Sequence, residues 1–186
     1  MALVKAADPR VSFAELQQWP DDGRRYELYD GEAIVVPSPL PRHQLIVVRI
    51  TDLLFEYART IRGLALVSPI DIVFSEHDVL QPDVVFFRER RRTLIDMMQA
   101  IRIPPDLIVE VISRSTGVRD RGRKMQLYGR FGVPEYWIVD PVPNTIEVYA
   151  LESGHYGSPL VSTARDQVRS ATLAGLEFEA RRVFED

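Results

Sequence analysis

The spacing of hydrophobic residues along this chain changes repeatedly, and each change predicts an element. Val11-Ser12-Phe13-Ala14-Glu15-Leu16 reads as a short helix. Ser12 caps it, Glu15 three residues on reaches back, and Val11 and Leu16 fit an apolar clasp across the first turn. Residues 20–23, from a proline to a glycine, end it. Residues 26–36 alternate as a hairpin does, with Tyr29-Asp30-Gly31-Glu32 as the turn. Beyond Ser38-Pro39-Leu40-Pro41, Ile46, Ile50, Leu53, Leu54, Tyr57 and Ile61 recur at helical spacing, and Gly63 suits the stop.

Two β-like runs follow at 64–67 and 70–74, then a polar turn at 75–78 and a third strand at 82–87. Pro82 fits the start of that strand and not its middle. Residues 93–100 predict a short helix that ends before Pro104-Pro105. The clearest strand is 106–112, whose apolar run implies burial on both faces, as at the centre of a mixed sheet. Residues 113–116 offer caps for a helix ending near Gly132, and strands at 136–139 and 146–151 flank a turn at Pro141, Pro143 and Asn144. The tail carries weak strand signals and no motif. With no repeat, low-complexity tract or linker, residues 1–186 are expected to form one α/β domain, more closely α+β with a mixed sheet.

Composition narrows the chemistry. At 186 residues the chain suffices for one domain with a sizeable core and is short for two. The absence of cysteine excludes disulfides, thiolate catalysis and cysteine-bound metal. His43, His77 and His155 are too scattered for a zinc site. No run of about 18 apolar residues suggests a membrane span, and MALVKAADPR lacks the apolar core of a secretory signal, so a cytoplasmic protein is expected. A net charge of −4 speaks against a protein that coats DNA non-specifically. The arginines are nonetheless clustered. RERRR at 88–92 has the pattern of a solvated face, whereas Arg114, Arg119, Arg121, Arg123 and Lys124 stand against a lone Asp120. Of the 23 basic residues only Lys5 and Lys124 are lysines.

Glu110 is the anomaly. It lies among Leu107, Ile108, Val109, Val111 and Ile112, where an ionised carboxylate is costly unless a cation, donor or water compensates it. A salt bridge to an arginine, or a place at a sheet edge, is the plain structural explanation. Asp83, directly after Pro82, has a similar one in bonds to nearby backbone. Together the two say more. Neighbouring strands would bring both carboxylates to one end of a sheet, where they can share a hard cation. Magnesium favours oxygen ligands, keeps several waters and needs only one or two protein carboxylates. Lys124 shares an i, i+3, i+4, i+7 stripe with Leu127, Tyr128 and Phe131, which faces the core. It either snorkels outward or sets a compact ammonium where a guanidinium would not fit. Glu27 is an auxiliary candidate ligand, although exposed turn chemistry is the expectation for it and for Glu32. His43, opening the long helix, would face a phosphate or act as a cap. Asp71 and Asp140 are read as structural. There is no Gly-rich phosphate loop and no serine-hydrolase elbow around Ser113 or Ser115.

The segments RRYELYDGEAIVV, SPLPRHQ, VLQPDVVFF, PDLIVEVISRSTGVRDRGRKMQLYGRFGVPEYWIVDP and TIEVYAL, in that order, resemble the Uma-two-type restriction endonuclease family of the PD-(D/E)XK nuclease superfamily. The resemblance is most specific over 105–141. It implies a restriction-endonuclease-like αβββαβ core at about 41–140, with an additional N-terminal hairpin and C-terminal strands. It also implies that Asp83 is the motif aspartate and Glu110 the acid on the next core strand. Ile112 stands where the superfamily usually carries its lysine, and the resemblance gives that role to Lys124 on the following helix. The implied activity is metal-dependent DNA endonuclease, with Mg2+ (or Mn2+ in its place) on Asp83 and Glu110. Lys124 would act on the attacking water or the scissile phosphate. Arg114, Arg119, Arg121 and Arg123 would contact flanking phosphates, and cutting both strands would call for a homodimer. The displaced lysine keeps a rival open: an inactive nuclease-fold domain that binds nucleic acid or a protein partner. A second rival is a structural domain whose buried acids are paired by arginines.

Overall fold

The computed structural model of the protein describes residues 10–113 and 117–185. The N-terminal decapeptide read for a secretory signal therefore lies almost wholly outside the described residues. Helix α1 (Phe13–Leu16) carries the expected cap: Ser12 Oγ accepts from the Glu15 N–H, and the Glu15 carboxylate accepts from the Ser12 N–H. Strands β1 (Arg25–Tyr29) and β2 (Glu32–Val36) pair around Asp30 and Gly31, both at positive φ, 49° and 78°. Two such residues give a turn whose twist matches the strands it joins. Helix α2 (Pro41–Ile61) buries Ile46, Ile50, Leu53 and Leu54. Its left-handed stop is Arg62 (φ 55°), not Gly63. Gly63 is required by packing instead, since a Cβ there would meet Phe86 Cζ at 2.5 Å.

Next come β3 (Leu64–Val67), β4 (Ile72–Ser75), β5 (Asp78–Leu80) and β6 (Val84–Phe87). The helix expected at 93–100 is instead α3 (Glu89–Arg92), on the arginine run itself. Glu89 in its first turn and arginines in its last complement the helix dipole. The run is solvated, as its pattern suggests, and two of its arginines also bond main chain. Arg91 donates to the carbonyls of Pro104 and Pro105, and Arg92 to the Arg62 carbonyl at the end of α2. Strand β7 (Leu107–Val111) is followed by a helical rod made of α4 (Gly117–Arg119), a π-wound turn (Asp120–Lys124) and α5 (Met125–Arg130). Of the caps expected at 113–116, residues 114–116 lie outside the described residues. Strands β8 (Glu135–Asp140), β9 (Thr145–Glu152), β10 (His155–Tyr156), β11 (Leu160–Thr163), β12 (Gln167–Arg169) and β13 (Glu177–Glu179) lead to α6 (Arg181–Phe184).

The large sheet runs β10-β9-β8-β7-β6-β3, with β11 also on β9. Strand β7 lies at its centre, antiparallel to β6 and parallel to β8, and all five of its residues are buried. The sheet is mixed, as expected. One face (Val84, Phe86, Val109, Val111, Trp137) packs on α2 and on Val168, Phe178 and Phe184 of the tail. The opposite face (Val85, Phe87, Ile108, Tyr136, Ile138) packs on Leu127 and Tyr128 of α5 and on Tyr29 and Leu80 of a smaller sheet, β2-β1-β5-β4. The tail is fastened by Glu135, whose buried carboxylate accepts from Trp137 Nε1, Ser170 Oγ and the Thr172 N–H. Because side chains alternate along a strand, Glu110 shares the face of Ile108 and Ile112. It therefore points between the large sheet and α5, away from α2.

Candidate active site

The site begins with register. The β6–β7 ladder has Val84 opposite Val109 as its last pair, and Asp83 and Glu110 come next on the two chains. The ladder ends there, since Pro82 cannot donate, and the Asp83 side chain takes over from backbone. Its Oδ2 accepts from the Val111 N–H at 2.8 Å and lies 3.2 Å from Nε2 of His43, in the first turn of α2.

Lys124 closes the site from the π-wound turn. Such turns recur at functional sites because one residue of slack re-aims the side chains. The Lys124 ammonium is 2.8 Å from Glu110 Oε1, 3.2 Å from Glu27 Oε1 and 3.7 Å from Asp120 Oδ1. The Tyr128 hydroxyl donates to the same Glu110 oxygen at 2.6 Å. Glu27 is held in turn by the Tyr29 hydroxyl and the Gln81 N–H. Glu27, Glu110 and Lys124 are only 1%, 4% and 5% exposed.

The fold thus brings Asp83, Glu110, Lys124, Glu27 and His43 together. Several expectations change. Glu27 is a buried partner of Lys124, not exposed turn chemistry, because β1 turns its 27 and 29 positions toward the large sheet. Lys124 does not snorkel. The cation on Glu110 is that lysine and not an arginine. His43 is no cap, for the α2 N-terminus makes no side-chain cap bond. Arg121 is tied to Glu147 and Asp140, and Arg123 to Glu32 and the Tyr29 carbonyl. Arg119 makes no ion pair among the described residues, and Arg114 lies outside them. Asp120 and Tyr128 were not singled out from sequence. Both stand four residues from Lys124 in the chain, a spacing that makes helical neighbours.

Three carboxyl groups, Glu27, Glu110 and Asp120, thus surround one ammonium, and Asp83 lies near enough to Glu110 to raise its pKa. The electrostatics follow. Burial pushes the Glu110 pKa well above the ordinary carboxylate range. Lys124 pulls it down, and the negative Asp83, Asp120 and Glu27 push it up again. Burial alone would lower the Lys124 pKa, but Glu110, Glu27, Tyr29 and Asp120 together hold it well above its usual value. The lysine therefore keeps its proton.

Among the described residues no three His, Cys, Asp or Glu side chains form a metal-holding group. Two carboxylates plus water nonetheless suffice for magnesium. Each acid is gripped through a single oxygen, Oδ2 of Asp83 and Oε1 of Glu110. The Asp83 side chain is 18% exposed and that of Glu110 only 5%. The donor set is all oxygen and fits a divalent cation.

Comparison with known proteins defines the class and then the family. The fold matches a crystal structure from Anabaena variabilis ATCC 29413 described as "a putative nuclease belonging to DUF820". The TM-score is 0.76 at 19% identity, over 94% of this chain and 97% of that one. Residues 13–181 match the family described as "Uma2: Putative restriction endonuclease", and the chain belongs to that family. No curated protein matches it. No helix among the described residues is long and apolar enough to cross a membrane.

Proposed function

We propose that this protein is a magnesium-dependent DNA endonuclease that hydrolyses phosphodiester bonds at Asp83, Glu110 and Lys124. One observation supports the proposal: Glu110, in contact with the buried Lys124 ammonium, also has the Asp83 carboxylate near enough to raise its pKa. The family description supports the same activity. Asp83 and Glu110 would hold Mg2+, with Mn2+ as a substitute. The ion would supply charge stabilisation at phosphorus and a water of lowered pKa. Lys124 keeps its proton at neutral pH, so its role is to orient a water or bind a phosphate oxygen, not to act as a base. Glu27 and Tyr128 hold Lys124 and Glu110 in place. Arg119 is the described arginine best suited to a flanking phosphate, while Arg121 and Arg123 would first have to leave their ion pairs. Cleavage of both strands calls for a homodimer.

Supercoiled plasmid is expected to be nicked with Mg2+ or Mn2+ and left intact in EDTA. A folded D83N protein should be slower by roughly two to three orders of magnitude, the typical loss for one preorganised electrostatic group. Nicking by D83N at the parent's rate would place the chemistry elsewhere. One observation favours a second reading, an inactive domain that only grips DNA: Lys124 is already in contact with three carboxylates. That reading predicts metal-independent DNA binding, unchanged in D83N, and no nicking by the parent.

A further inference from the structure

His43 is half of a contact that the proposed chemistry leaves unexplained. Its side chain is 15% exposed, and Nε2 faces Asp83 Oδ2 at 3.2 Å. An ionised carboxylate can only accept, so Nε2 carries a proton whether the ring is neutral or charged. Nδ1, by contrast, is buried without a partner among the described residues. A ring that forfeits one nitrogen's hydrogen bonds gains little stability from being there. What it does is fix an orientation. The Val111 N–H and the His43 Nε2–H converge on the same carboxylate oxygen from two elements, strand β7 and helix α2. A carboxylate held at one oxygen by two donors cannot rotate freely.

We propose that His43 is a positioning residue: with the Val111 N–H it locks Asp83 through Oδ2, so that Oδ1 is presented to the cation. The inference rests on the metal-dependent reading above. Partners that orient a metal-binding carboxylate typically change affinity by about 10–100-fold when removed.

The test is Mn2+ titration of the DNA-free protein, followed by electron paramagnetic resonance, alongside plasmid nicking and thermal unfolding. H43M and H43Q are a matched pair, similar in length but differing in the amide donor. H43M is expected to bind Mn2+ about 10–100-fold more weakly and to nick more slowly, while H43Q recovers most of both. If H43M does not fold, H43N replaces it, since its shorter amide falls short of Asp83 and should show the same loss. Tight Mn2+ binding by H43M, or equal losses in H43M and H43Q, would overturn the positioning role while leaving the metal site intact. Absence of Mn2+ binding by the parent, or undiminished binding by D83N, would remove the metal site and this inference with it.

Discussion

E110Q is expected to stay folded and to nick plasmid DNA with Mg2+ roughly two to three orders of magnitude more slowly than the parent. The amide keeps an oxygen that can accept from both Lys124 and Tyr128. It gives up the negative charge, which balances Lys124 and is proposed to hold the cation. Stability should depend on pH in a defined way. The folded pKa of Glu110 is raised, so its contribution is fully present below about 4.5, the ordinary value, and is lost as pH rises through the folded pKa. The variant should therefore gain on the parent as pH rises from acid toward neutral. Urea unfolding across that range checks the stability, and a gel of plasmid forms checks the activity. A marked loss of stability with unchanged nicking would make Glu110 a structural counter-ion of Lys124 and nothing more.

K124M carries the largest expected cost in stability. Removing the ammonium leaves Glu27, Glu110 and Asp120 buried around a methyl group. Breaking one side of a buried ion pair typically costs about 3–5 kcal/mol. In the parent, the raised pKa of Lys124 means that its stabilisation is full below about 10.5 and is lost as pH climbs through the folded value. In the variant, Glu110 can take up a proton instead. The deficit against the parent should thus be greatest near neutrality and shrink as pH falls toward the ordinary carboxylate range. Nicking should also fall sharply under conditions where the variant remains folded. A deficit independent of pH would mean that Lys124 matters for packing alone.

Much of this arrangement was legible in the chain because it breaks local rules. Glu110 interrupts an apolar run, Asp83 follows a proline at the head of another, and Lys124 sits on a core-facing stripe in a chain whose other basic residues, Lys5 apart, are arginines. Their convergence was not legible, because it depends on register. That Asp83 and Glu110 come to the same end of neighbouring strands follows from Val84 pairing with Val109, a fact no local pattern contains. Glu27 was misjudged for the same reason. It belongs to a different sheet, and only the packing of β1 against the large sheet and α5 buries it. Strand β5 is three residues long, too short for a period, and only its first residue falls in the turn expected at 75–78. The helix expected at 93–100 failed because Leu94, Met97 and Met98, which suggest a buried face, are exposed. The tail's short strands carry too few residues for a period to emerge, and their placement depends on a distant residue, Glu135.

The restriction-endonuclease-like order of elements was easier to read, since α2, β7 and the helical rod after it are long or strongly apolar. The RERRR run is the solvated face its pattern suggests, and Arg91 and Arg92 also satisfy main-chain carbonyls. Two of the four arginines assigned to phosphates are engaged by carboxylates of the protein.

Crystals soaked in Mn2+ and measured for anomalous scattering would test the metal site directly. A peak bound by the carboxylates of Asp83 and Glu110, next to the Lys124 ammonium, is the predicted result. No peak there at saturating Mn2+, with the Glu110–Lys124 contact unbroken, would contradict it.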